Sequence, residues 1–449
     1  MKKVSSLIIY ICSCITLYGQ VDFDRPEAFL FERKNRLSKK VDSSFDASGS
    51  NVETVSTKHK TYTLEKPMDY QGYFSVYGSG YINSNAITNS FLKSYLYTKS
   101  FISDDLKQQQ VDRLKKSNSL GADIRVGMYG QYKINNIRIE AGLSYRDFYS
   151  SQFSADAFKL IFYGNAMYAG QTASLNPLNM YNVNYQTLYM GAKKTIGKKQ
   201  HITVGARLGF VRGGRLQKIH SKNLSLYTDS FGSYLTLNGK FDVAYTNDSS
   251  YSAVPSMNGA GLSTDYFFSV KGKRGEFAVE LLDVGFIHWN NVVTYSGNGS
   301  YTYNGFEINN IISNNGISVD PVNLTTFFQS MGLNKTVKDV TYMLPSTLHL
   351  AYYRHLTPKI TLTGGVRQQF VAGYKPRVYG KLAYYIKKNF VVVPTLAYGG
   401  FGRADVELGI SKSFSDHLIL STNLFWFEYL MLPDKTSGHG MSLAFSYYF

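Results

Sequence analysis

The chain has 449 residues and a formal charge of +17, with 37 tyrosines, 29 phenylalanines and 39 glycines against 10 prolines. That length suits two or three soluble domains or one large barrel, and aromatic residues punctuated by glycine favour strands over helices. A mean hydropathy of −0.20 does not demand a bundle of apolar membrane helices.

Residues 1–19 read as a secretory signal. Lys2 and Lys3 give the charged start, Leu7 to Leu17 the apolar middle, and Tyr18-Gly19-Gln20 a small residue before a cut. As a transmembrane anchor the apolar run falls short of the ~20 residues needed to span a bilayer. Cys12 and Cys14 both lie inside it, so cleavage after Gly19 leaves no cysteine for disulfide or thiolate chemistry. A lipoprotein acylated on Cys14 is the alternative; Ser13 fits that pattern and Cys12 does not. The cations that remain are scattered and form no nucleic-acid module, which excludes nucleic acid as the expected partner. Outer-membrane lipid, anionic lipopolysaccharide or a basic lumen suits them better, as does a plain role in keeping loops solvated.

Residues 20–67 are polar and charged. Asp24-Arg25-Pro26-Glu27 has the cap, first-turn proline and acid of a short helix start. The segment reads as a plug or periplasmic piece, or as a poorly ordered N-terminal extension. From residue 68 to 449 the chain reads as strands and turns. Ile124, Val126 and Met128 share one face, against Asp123, Arg125, Gly127 and Tyr129. Asn135-Asn136 suits a tight turn. The return strand sets Ile137, Ile139, Ala141, Leu143 and Tyr145 against Arg138, Glu140, Gly142, Ser144 and Arg146. Ile202, Val204, Ala206, Leu208 and Phe210 alternate likewise with Thr203, Gly205, Arg207 and Gly209. Short helices are expected after Ser103 and Ser154, and a long loop over Asn298 to Thr341.

A soluble sandwich alternates too, but here charge and glycine recur on the second face of strands of barrel length. Strands that cross a bilayer must pair every backbone polar group and so must close. The expected fold is all-β: a transmembrane antiparallel β-barrel of about 14 strands, with 12 to 16 as the range. In the closing strand Met441, Leu443, Phe445, Tyr447 and Phe449 share an apolar face. That strand resembles the C-terminal assembly signal of bacterial outer-membrane barrels, which implies Phe445, Tyr447 and Phe449 as the part read by the barrel-assembly machinery.

Three further stretches carry a family resemblance: Tyr163-Gly164-Asn165-Ala166-Met167-Tyr168-Ala169-Gly170, the run from Ile202 to Gly214, and Glu280-Leu281-Leu282-Asp283-Val284-Gly285-Phe286-Ile287-His288-Trp289. In this order, and followed by Leu344-Pro345, they resemble a Bacteroidetes-type outer-membrane barrel family catalogued as a domain of unknown function. That family is distantly like the long-chain fatty-acid transporter type of barrel. The resemblance implies a barrel and no established binding residues. It also sets Thr187 where the family pattern has an acid. Gly164, Asn165, Asp283, Gly285, His288 and Trp289 are its signature, and an architectural role suits them: the parity of Phe277, Val279 and Leu281 breaks at Leu282–Asp283, as a β-bulge would require.

Enzyme chemistry is not expected. The eight histidines lack metal-ligand spacing and no Gly-x-Ser-x-Gly elbow occurs, so no cofactor, metal or catalytic residue is assigned. The candidate binding residues are the polar-face Arg125, Arg138, Glu140, Arg146 and Arg207. They either line a lumen selective for anionic solutes or pair with carboxylates such as Asp123, Glu140 or Glu280 and fill it. Passive transport of a small or hydrophobic solute is the expected function. A structural platform for a secretion, adhesion or assembly partner is the alternative.

Overall fold

In the computed structural model, the residues described are 70–98, 100–197, 202–246, 257–272, 275–303, 335–357, 359–387 and 389–449, with the paired two-residue strands Leu37–Ser38 and Thr63–Leu64. The expected signal (1–19), most of the 20–67 extension and the centre of the Asn298–Thr341 loop lie outside the described residues.

Seventeen strands form one antiparallel sheet. In chain order they are β1 (Gly72–Ser84), β2 (Asn118–Ile134), β3 (Ile137–Phe153), β4 (Gln171–Ser174), β5 (Leu178–Ile196), β6 (Ile202–Thr228), β7 (Leu235–Tyr245), β8 (Gly259–Lys271), β9 (Gly275–Tyr303), β10 (Thr336–Met343), β11 (Thr347–Thr357), β12 (Ile360–Gln369), β13 (Lys375–Lys387), β14 (Phe390–Gly400), β15 (Ala404–Ser413), β16 (Leu418–Phe425) and β17 (Gly438–Tyr448). Fourteen of them are staves of a closed barrel, because β8 pairs with both β6 and β9, and β17 pairs with β1. The other three are extensions. β6 has 27 residues and β9 has 29, so both outrun the wall. Beyond it, β7 bridges their upper halves, β4 flanks β6 and β10 flanks β9.

Period-two alternation decides which side of the wall each residue faces. Met128, Leu143, Leu188, Met190, Leu208, Phe210, Phe445 and Tyr447 are exposed on the outside, while Asp123, Arg125, Glu140 and Arg146 are buried within. The hairpins at one end are short: Asn135, at φ 54°, turns β2 into β3 between the paired Ile134 and Ile137. Asparagine tolerates that left-handed conformation as few residues do.

The other end is roofed by helices. α1 (Asn89–Leu92) runs into a π turn (Lys93–Tyr97), followed by α2 (Asp104–Arg113) and α3 (Ala155–Tyr163). Their first turns are capped by hydroxyls: Thr88 accepts from Phe91 N–H, Ser103 from Leu106 N–H, and Ser154 from Ala157 N–H. Phe91, Leu92, Phe158 and Phe162 pack over Ile82, Leu120 and Tyr149 at the mouth. Among the described residues no helix is long and apolar enough to cross a membrane.

Candidate functional site

A closed sheet of this size encloses a lumen that side chains must either fill or leave open. Here they fill much of it. Towards the short-turn end, Tyr73, Tyr77, Tyr129 and Tyr448 pack together, and Ser75 and Ser446 share a hydrogen bond of 3.0 Å. Farther up, Tyr81, Phe148, Tyr185, Trp289, Phe401, Phe425 and Trp426 form an aromatic cluster.

The sequence candidates divide into two networks and one outlier. Arg146 is 3% exposed on its side chain and donates to both carboxylate oxygens of Asp123, at 2.9 and 2.6 Å. Its remaining N–H groups reach Asp283 at 2.8 Å, the Tyr185 hydroxyl at 3.2 Å and the Pro345 carbonyl at 3.1 Å. Arg125 joins through Asp123 at 3.6 Å and Asp283 at 3.4 Å. Lower down, Glu140 meets Lys193 at 2.9 Å and Arg207 at 3.3 Å, and Arg207 also meets Asp265 at 3.1 Å. The cations of Lys193 and Arg207 each sit 4.6 Å from the centre of the Phe267 ring. Arg138 belongs to neither network. It is half-buried at the short-turn mouth, opposite Lys133 and Lys193 in register.

The signature residues are architectural in their contacts. Register slips between β8 and β9, from Thr264↔Val284 to Tyr266↔Leu281, so β9 carries an extra residue there. Asp283 takes φ 55° at that bulge, which turns its carboxylate inward to Arg146. The neighbouring stave is broken at the same height: Leu344-Pro345-Ser346 separates β10 from β11, Leu344 N–H donates to the Gly285 carbonyl, and the Ser346 hydroxyl donates to the Asp283 carbonyl. A Cβ on Gly285 would stand 2.0 Å from the Leu262 carbonyl oxygen, so the position admits no side chain. Trp289 is fully buried and His288, on the outside, shares a hydrogen bond with Thr341 at 3.0 Å. Gly164 ends α3 at φ 85°, and Asn165 opens the following turn by accepting from Tyr168 N–H. Thr187 is buried against Gly209.

A second interruption lies elsewhere in the wall. β15 pairs with β16 only as far as Leu408↔Leu424, although it stays paired with β14 up to Ala404↔Tyr398. β16 ends because Trp426, at φ 50°, turns into the lumen against Tyr81, 5.6 Å between ring centres. The chain then makes a 3-10 turn (Phe427–Leu430), from which the Glu428 carboxylate accepts the Val406 N–H at 3.1 Å. The side chain thus replaces the carbonyl that a continued β16 would have offered. Inside this seam is a void of about 30 Å³, lined by Tyr81, Arg367, Tyr374, Phe401 and Trp426 among others. Arg377 closes its polar side by pairing with Asp405 at 2.8 Å and with Glu407. Outside it, Leu430 and Met431 are 65% and 73% exposed.

Lys193, Asp265, Arg377, Asp405 and Trp426 are not among the sequence candidates. Strand parity alone puts Asp405 and Glu407 on one inward face with Arg377 on another, and was the available signal. Among the described residues no group of side chains has the make-up of a metal site.

An apolar outer band, a closed ladder of fourteen staves and a charged, filled interior define a transmembrane β-barrel of the outer-membrane type. The chain belongs to the family of unknown function DUF5723, which it matches over residues 66–415. No curated protein matches it. Among solved structures it is similar to the toluene transporter TodX of Pseudomonas putida, at 9% identity, with 85% of this chain and 90% of that one covered and a TM-score of 0.38. It is also similar to a TodX deltaS2S3 mutant described as a monoaromatic hydrocarbon channel (8% identity, 84% and 90% covered, TM-score 0.43). A FadL homologue of Pseudomonas aeruginosa is a third (9% identity, 85% and 91% covered, TM-score 0.41).

Proposed function

We propose that this barrel is exported to the outer membrane of a Gram-negative bacterium, with its short turns in the periplasm, and passes a small apolar solute passively across the seam beside Glu428. The observation that carries this reading is the exchange, at one place in the wall, of strand pairing for a single side-chain hydrogen bond with an aromatic-lined void behind it. Opening a wall between fully paired staves strips backbone groups of partners in a medium without water, at a cost of several kcal/mol for each group. Opening here releases the Val406 N–H and displaces Trp426. The void holds only about two waters, so passage requires the indole to swing aside.

The test is uptake of toluene into proteoliposomes. Trp426→Ala should raise the rate several-fold over wild type, with the barrel still running as a folded band on an unheated gel. Equal rates in wild type, Trp426→Ala and protein-free liposomes end the transport reading.

A platform role is supported by a different observation. β7 and β10 stiffen the upper halves of β6 and β9 into a sheet beyond the wall, and Phe231 at the tip of the β6–β7 hairpin is 94% exposed. On that reading the extension presents a surface to a secretion, adhesion or assembly partner. Crosslinking from Phe231 in intact cells should then capture one defined protein, and deleting the hairpin tip should leave uptake unchanged.

A further inference from the structure

Three staves carry a cation inside the outward apolar stripe. On β5 and β11 the pairs Lys194 and Ile196, and Arg354 and Leu356, are exposed, as are Lys412 on β15 and Phe414 just past its end. Two-residue spacing puts both members of a pair on the same outward face, with the apolar member nearer the short-turn end. Each cation is therefore set back between apolar neighbours instead of lying past them. Lys412 folds along this surface, with its ammonium 4.9 Å from the centre of the Phe414 ring. Long cationic side chains can lie on apolar surface while the charged head finds the interface. Just beyond, Lys271 and Lys387 end β8 and β13 and Lys359 lies in a turn; all three are exposed, and Asp416 is the one carboxylate among the described residues of the turns at this end. A soluble polyanion meets the turns first. A cation set back in the stripe meets an anion that itself belongs to the membrane surface.

We propose that Lys194, Arg354 and Lys412 hold the phosphate groups of anionic phospholipids in the leaflet at the short-turn end, so that these lipids form the preferred shell around the barrel. The phosphate is the matching group because it lies at the level where the acyl chains end, and each ammonium or guanidinium there is attracted to an anionic surface. The inference rests on the membrane placement proposed above and is independent of the seam.

The full chain, reconstituted into nanodiscs of phosphatidylcholine with a minority of phosphatidylglycerol, is examined by native mass spectrometry for retained lipid. Wild type should enrich phosphatidylglycerol roughly fivefold over the bulk composition. The triple variant Lys194→Gln, Arg354→Gln, Lys412→Gln should retain lipid at the bulk ratio, and Lys271→Gln, Lys359→Gln, Lys387→Gln should keep the enrichment. No enrichment by wild type overturns the proposal, as does enrichment that survives the first triple variant. Loss in the second triple variant alone assigns the lipid to Lys271, Lys359 and Lys387, and displacement by inorganic phosphate assigns the charge to a soluble anion; either result also overturns it. Should the first triple variant not fold, the wild-type measurement and the three single variants decide the matter. Gel mobility before and after heating reports insertion separately, so failure of membrane placement is distinguishable from failure of lipid selection.

Discussion

The wall is interrupted in two places, and they are closed in opposite ways. At Leu282–Asp283 and the facing Leu344–Ser346 break, two arginines, two aspartates, a tyrosine hydroxyl and two carbonyls interlock. At the end of β16 one carboxylate accepts one N–H, and an indole fills the space behind. A broken ladder is therefore not in itself a weak point. Buried charge tolerates no missing partner, which makes the first interruption rigid. The second has one hydrogen bond to lose, which makes it the place where the wall can yield.

The largest expected effect comes from breaking the first closure. Arg146→Ala leaves Asp123 and Asp283 with only the longer contacts of Arg125 between them, a loss of about 3–5 kcal/mol. It should show as a lower unfolding midpoint in urea, with little folded band on unheated gels. Arg125→Ala removes a peripheral member, and its midpoint should fall by less. Next in size is Trp426→Ala, which tests the second closure: uptake rises, while stability falls by less than for Arg146→Ala. If the two stability losses rank in the reverse order, the contrast between the closures is wrong.

The finest test is at Glu428 itself. Glu428→Gln keeps an acceptor for the Val406 N–H, whereas Glu428→Ala removes it. Uptake should therefore rise in Glu428→Ala and change little in Glu428→Gln. Equal uptake in the two variants would show that this hydrogen bond does not hold the seam.

Alternation made the closed barrel, its number of staves and the outward or inward side of each candidate legible from sequence. The serines at 103 and 154 announced α2 and α3 as caps, and the parity break announced the bulge at Asp283. Parity gives side but not height. Arg138 alternates like Arg125 and Arg146, yet lies at the mouth, away from the ion networks that hold them. Nor does parity reveal a strand that rises past the wall: the end of β9, to Tyr303, and the start of β10, from Thr336, are strand where the sequence reads as a loop over 298–341, because pairing with β7 holds the first extended and pairing with β9 the second. Partnerships were hidden for a different reason: Arg146 and Asp283 are 137 positions apart, and only closure of the sheet brings them together. The end of β16 depends on one residue, Trp426, adopting a left-handed conformation that its sequence context does not advertise.

The join between β17 and β1 bears on how the barrel assembles. Ser75 donates to the Phe445 carbonyl across 370 positions, and Gly72 and Phe449 exchange two hydrogen bonds of 3.0 Å. Contacts so distant in sequence form late and slowly. Until they form, a sheet of many strands has two raw edges, which hydrocarbon cannot satisfy and other chains can pair with. The rate-limiting event should therefore be the meeting of the two edge strands. A substitution such as Phe449→Ala should lengthen the life of the unclosed sheet, visible as slower appearance of the folded band, far more than it lowers the stability of the finished barrel.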